Sequence, residues 1–253
     1  MKRIILSALY MIFVTILIVT GLSGCVIIGF SDISSVTAKG DPENYEFNVG
    51  EYNAIKVETL CDIRYFNNSG GASSNTVTLS VSPNTLEYYK VEVINGELVV
   101  RTTKRVNFRS DNSPVLTVST PVLTRLTIEG AGAFTAYDKI TAPSLAFIIK
   151  GAGSGKAELE VESLYVELSG AGNMELSGKA DTANLNLSGA GDLDALALRT
   201  NDAAINLSGA GKVSVNCSHN LRINANGMGT IEYRGSPSLI LNKDGMVRIT
   251  QLN

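Results

Sequence analysis

Between residues 124 and 253 one short phrase returns at nearly even intervals, and few folds can accommodate it. Gly-Ala-Gly stands at Gly130–Gly132, Gly151–Gly153, Gly170–Gly172, Gly189–Gly191 and Gly209–Gly211, and Gly227-Met228-Gly229 follows with its middle residue changed. The first glycines lie 21, 19, 19, 20 and 18 residues apart, a period that belongs to solenoids and repeat arrays. Two, four and six residues before the first glycine stand Leu168, Val166 and Leu164, then Leu187, Leu185 and Ala183, then Leu207, Ile205 and Ala203. Alternation of this kind is the two-residue period of a strand with one buried face. A second alternating run follows the triplet, as in Met174 and Leu176, Val213 and Val215, Ile231 and Tyr233. Each repeat reads as strand, glycine corner, strand and link.

One such coil cannot bury its apolar side alone, but stacked coils can, each strand pairing with its equivalent about 4.8 Å above and below. The corner positions Gly130, Gly132, Gly151, Gly153, Gly170, Gly172, Gly189, Gly191, Gly209, Gly211, Gly227 and Gly229 then suit glycine, which turns sharply and lets backbones stack closely. A helix would have to tolerate glycine pairs throughout. The expected fold is all-β: a single-stranded β-solenoid over residues 121–253 with about six coils of about 20 residues, a rod about 25–30 Å long.

Residues 45–120 continue in strands without the triplet. Asn95-Gly96 between two alternating runs predicts a hairpin. This less regular β region is expected to cap the first coil, since an open solenoid edge templates aggregation. At the far end Lys243 replaces an inward apolar residue and Asp244-Gly245 replaces the triplet, which reads as a second cap.

The start of the chain reads as an address. Lys2 and Arg3 precede the apolar run Ile4–Thr20, and Leu22-Ser23-Gly24-Cys25 has the form of a bacterial lipobox. Residues 1–24 are expected to be a signal peptide, Cys25 the lipidated N-terminus, and 25–44 an unfolded tether to a bacterial membrane, the outer one in a Gram-negative cell. The remaining 229 residues (253 − 24) carry 19 basic against 24 acidic groups, a net charge of −5. That balance, with no basic stripe, argues against nucleic acid as a partner. Cys61 and Cys217 are read as unpaired, Cys217 being in phase with inward Val213 and Val215.

Little here suggests catalysis. The single histidine, His219, lies in a link, and its near neighbour Cys217 phases inward. Asp192 and Asp194 share a face, but Asn173 and Lys212 take the place of Asp192 in the adjoining coils, so no carboxylate ladder is expected. No zinc spacing, phosphate loop or cofactor motif is present. A groove lined by three carboxylates and a lysine or arginine would favour the alternative, a polysaccharide-active lyase or hydrolase. The regular outward feature is polar: Asn186, Asn206 and Asn224 three residues before the corner, Ser169, Ser188 and Ser208 one residue before it. Stacked amides can bond along the rod and stabilise it. The same face could meet an envelope glycan or another protein, because solenoids bind through extended repeated surfaces.

The repeated Leu-Ser-Gly-Ala-Gly (Leu168–Gly172, Leu187–Gly191, Leu207–Gly211) resembles the bacterial family called the putative auto-transporter adhesin, head GIN domain, from about Tyr45 to Asn253. The resemblance implies a right-handed β-helical fold in a bacterial lipoprotein whose function is not established. Together these readings point to a non-enzymatic envelope lipoprotein that presents a solenoid surface for adhesion, binding or scaffolding.

Overall fold

A computed structural model describes residues 34–67, 76–110 and 112–253. The expected signal peptide and Cys25 lie outside the described residues. The repeat region folds as strands β10 (Arg125–Gly130), β11 (Ala133–Ala136), β12 (Ile140–Gly151), β13 (Ser154–Gly170), β14 (Asn173–Gly189), β15 (Asp192–Gly209), β16 (Lys212–Gly227), β17 (Thr230–Arg234), β18 (Ser238–Gly245) and β19 (Arg248–Leu252). All pair in parallel, rung upon rung. Leu168 stands opposite Leu187, and Leu187 opposite Leu207, all three buried.

The corners stack in one line, Gly130, Gly151, Gly170, Gly189, Gly209, Gly227 and Gly245. Backbone amides just past each first glycine bond to the rung before, as Ala190 N to Gly170 O at 2.9 Å and Asp192 N to Gly172 O at 3.1 Å. From Gly151 onward each turn is thus tied to the rung before by two backbone bonds. Gly245 makes a seventh corner, with Met246 N donating to Gly227 O at 2.8 Å. Lys243 sits opposite Ala225, at the inward position of β18, which is exposed along its length.

Uneven spacing is absorbed away from the corners. β15 carries one extra residue opposite the stretch Glu175–Ser177. Against β16 it has three extra residues between Ala195 and Arg199, and β16 has one extra between Cys217 and Asn220. The differences of 20 and 18 residues thus appear as bulges at the bend, while the core and corner columns keep their register.

Two further rungs stand before the glycine-cornered ones, in an order the chain does not follow. Strands β1 (Ser34–Thr37), β2 (Glu43–Asn48), β3 (Ala54–Val57), β4 (Asp62–Phe66), β5 (Thr76–Val81), β6 (Tyr89–Ile94), β7 (Glu97–Thr102), β8 (Val106–Arg109) and β9 (Val115–Ser119) make up this half. Ile55 of β3 lies between Leu126 and Leu98, and Ile63 of β4 between Phe134 and Leu116. The rung of residues 54–66 is thus sandwiched between residues 97–119 and 125–136. Antiparallel strands cover the outer side: β6 on β7, β5 on β9, and β2 on β5. The β6–β7 turn is the expected hairpin, with positive φ at Asn95 and Gly96.

The segment read as a tether is folded over part of its length. β1 pairs with β8 and β2 begins at Glu43. Ala38 N donates to Arg109 O at 2.9 Å, and Asn84 Nδ2 donates to Thr37 O at 2.9 Å. Short polar alternation such as Ser34–Thr37 finds a partner only in residues seventy positions on, which local reading does not reveal.

Cys61 and Cys217 are buried free thiols. Burial pushes the Cys61 thiol and the Tyr52 and Tyr65 phenols up to about 12, and raises Cys217 as well. In the unfolded chain these groups ionise first, so the stability they contribute is complete below about pH 9 and is lost as pH rises towards 12. The urea midpoint is therefore expected to fall steadily between pH 9 and 11. At pH 8 neither thiol should react with a thiol reagent until urea is added. A midpoint unchanged to pH 11 would contradict the burial of these groups.

Candidate functional site: the asparagine face

The half of each coil that precedes the corner turns three columns of side chains outward. The middle column runs Glu167, Asn186, Asn206, Asn224, Asn242. To one side stand Tyr165, Asn184, Ala204, Arg222 and Ile240, to the other Ser169, Ser188, Ser208, Asn226 and Asp244. Strand alternation places them so, because Leu185, Ile205 and Ile223 between them face the core.

The asparagines form a continuous ladder. Asn206 Nδ2 donates to Asn186 Oδ1 at 2.8 Å, Asn224 Nδ2 to Asn206 Oδ1 at 2.9 Å, and Asn242 Nδ2 to Asn224 Oδ1 at 2.9 Å. At the other end Asn186 Nδ2 reaches Val166 O at 3.3 Å and Asn184 Oδ1 at 3.1 Å. Asn242 was not singled out from sequence, since its corner lacks the glycine triplet; its place three residues before Gly245 was the available signal. The ladder lies in an open groove of about 930 Å³ that also takes in Ser188, Ser208, Tyr165 and Lys243. Ser169 is outside that lining. Tyr165 is about one-third exposed (36%) and donates to Glu167 Oε2 at 2.9 Å, a bond that raises the phenol's pKa.

Asn206→Ser removes the bonds on both sides of one rung. It is expected to cost about 1–2 kcal/mol in urea denaturation, and a cost near zero would show that the ladder does not stabilise the rod.

A second face brings acids together. Lys156, Glu175, Asp192 and Asp194 line an open groove of about 410 Å³ beyond the corner. Three carboxylates and a lysine share a groove here, contrary to the expectation that no such cluster would form. The column Lys156–Glu175–Asp194 lies beside the one followed in the sequence. Its charges are largely spent on one another: Lys156 Nζ is 2.8 Å from Glu175 Oε1, and Asp194 Oδ1 accepts from Leu196 N at 3.0 Å. Lys212, drawn mainly to Glu232, is held above its ordinary pKa with Asp192 and Asp194 contributing. Among the described residues no three Asp, Glu, His or Cys side chains gather closely enough to share an ion. His219 is exposed, whereas the Cys217 thiol points inward to Asn220 O at 3.1 Å, so the two form no pair.

Known proteins share this architecture. The crystal structure of a putative adhesin from Bacteroides fragilis superposes with a TM-score of 0.81 at 25% identity, covering 86% of this chain and all of the other. A putative lipid binding protein from Parabacteroides distasonis gives 0.71 at 19% identity, covering 87% of this chain and all of its own. A putative adhesin from the same species gives 0.65 at 18% identity with the same coverage. No curated relative matches the chain. The family model described as putative auto-transporter adhesin, head GIN domain, matches residues 51–237, and the chain belongs to that family.

Proposed function

We propose that the protein is a lipid-anchored envelope lipoprotein which binds through its asparagine face and carries out no chemistry of its own. The single observation that carries this reading is the amide ladder: a run of hydrogen-bonding groups, uncharged over its central rungs, open in a groove and only partly used internally. Solenoids bind through such extended surfaces, and the fold shared with proteins described as putative adhesins agrees with it. Lipidation at Cys25 would hold the protein to the membrane.

The test is retention of purified protein on immobilised envelope polysaccharide and on a panel of extracellular proteins. The triple variant Asn186→Ser, Asn206→Ser, Asn224→Ser is expected to lose retention, and Glu175→Gln to keep it. Lost stability with unchanged retention would leave the ladder purely structural. Cys25→Ala is expected to move the protein from membrane to soluble fraction, and protease treatment of intact cells separates surface from periplasmic exposure.

The acidic groove favours a second reading, an enzyme acting on polysaccharide. Incubation with polygalacturonate and with a neutral glycan, followed by assay for new reducing or unsaturated ends, decides it. No product is expected, and product abolished by Glu175→Gln or Asp194→Asn would reverse the assignment.

A further inference from the structure

Resting on the proposed binding role of the asparagine face, we infer that its ligand is a neutral, extended polysaccharide lying along the rod. The inner ladder amides, Asn206 and Asn224, each spend one of their two Nδ2 protons and one Oδ1 lone pair on their neighbours, and keep one donor and one acceptor for outside. A hydroxyl is the complementary group, being donor and acceptor at once. Such amides recur once per rung, about every 4.8 Å, over the four rungs from Asn186 to Asn242, a span of about 14 Å. A chain of pyranose rings linked end to end advances by a comparable step and presents hydroxyls along its length.

The floor excludes other classes. Asn186, Ser188, Asn206, Ser208, Asn224 and Asn226 are uncharged, and ionised groups stand only at the groove's ends, Glu167 at one and Lys243 with Asp244 at the other. Arg222 lies in the flanking column, outside the lining. An anionic polymer would lose solvation along the floor without gaining a partner. An apolar ligand would bury amide groups unsatisfied. A peptide strand running along the rod rises about 3.3 Å per residue and falls out of step with the rungs. At one end the exposed Tyr165 ring offers a surface for a sugar to pack on.

Affinity electrophoresis of the purified protein through gels containing hydroxyethylcellulose, galactomannan, dextran or polygalacturonate tests the inference. Retardation is expected with hydroxyethylcellulose or galactomannan, which are extended and neutral, and not with flexible dextran or with polygalacturonate. It should be the same at low and high salt, because no ion pair is involved. Tyr165→Ala is expected to weaken retardation about tenfold, equivalent to about 1.4 kcal/mol, with an unchanged urea midpoint; Arg222→Gln should leave it unaltered. Retardation by polygalacturonate that fades with salt overturns the neutral-ligand inference while a binding role stands. Retention on proteins alone does the same. Loss of every interaction on all supports removes both readings together.

Discussion

Gly189→Ala is expected to unfold the protein or to lower its stability by about 4 kcal/mol or more. Gly189 has φ +130, a conformation that costs a side-chain-bearing residue about 1–3 kcal/mol. Its added Cβ would also press into the carbonyl oxygen of Gly170, with that residue's amide nitrogen and carbonyl carbon 3.0 Å away. The obstacle is backbone, so no rotamer change relieves it. Moving the rungs apart would break the bond from Ala190 N to Gly170 O and carry the disturbance into the next corner. With a total stability of about 5–15 kcal/mol, a loss of this size is exceptional for one methyl group. Gly50→Ala is the control, since nothing lies within 4 Å of its added Cβ; a change within about 0.5 kcal/mol is expected. If urea denaturation gave Gly189→Ala and the parent the same midpoint, close stacking at the corners could not be what selects glycine there.

The second large effect concerns the join between the two kinds of rung. Phe147 is fully buried and stands between Leu126 and Val166. Its ring centre is 5.7 Å from that of Phe134, which in turn lies 6.4 Å from Tyr65. These three aromatics fill the core where the unrepeated rungs meet the repeated ones. Phe147→Ala should cost about 3–5 kcal/mol through lost transfer energy and the cavity left behind, lowering the melting temperature by roughly 6–20 °C for a domain of this size. Phe66→Ala removes an exposed ring stacked on Tyr137 and is expected to cost less than about 1 kcal/mol. Calorimetry on both variants checks the contrast. Similar melting temperatures for the two would mean that the core at this join is not packed as described.

The repeated rungs were legible because corner, core and ladder each recur with one period, so a single copy explains all the others. Leu168, Leu187 and Leu207 needed only alternation to be placed inside. The first rungs were not legible in that way. The corner between Val57 and Asp62 is Glu58-Thr59-Leu60-Cys61, with no glycine to mark it. Alternation alone says that residues 54–57 are a strand, not that residues 97–100 and 125–128 flank it. The polar ladder was foreseen up to Asn224, and Asn242 lay one rung past the last recognisable triplet. The acidic groove escaped for a different reason. Comparing position with position down the Asp192 column showed Asn173 and Lys212, whereas the acids meet across neighbouring columns.

The sandwiching of residues 54–66 also dictates the order in which the molecule can assemble. That rung is made first, yet both its neighbours in space are made later, one ending at residue 119 and the other only at residue 136. Its strands wait some forty to fifty residues for a first partner and some seventy for the second, and closing such separations is slow. From residue 140 onward every rung lands on one already present. Growth of the rod is therefore delayed at its beginning and stepwise thereafter, and the interval before residue 136 emerges is when the nascent chain needs protection from mispairing.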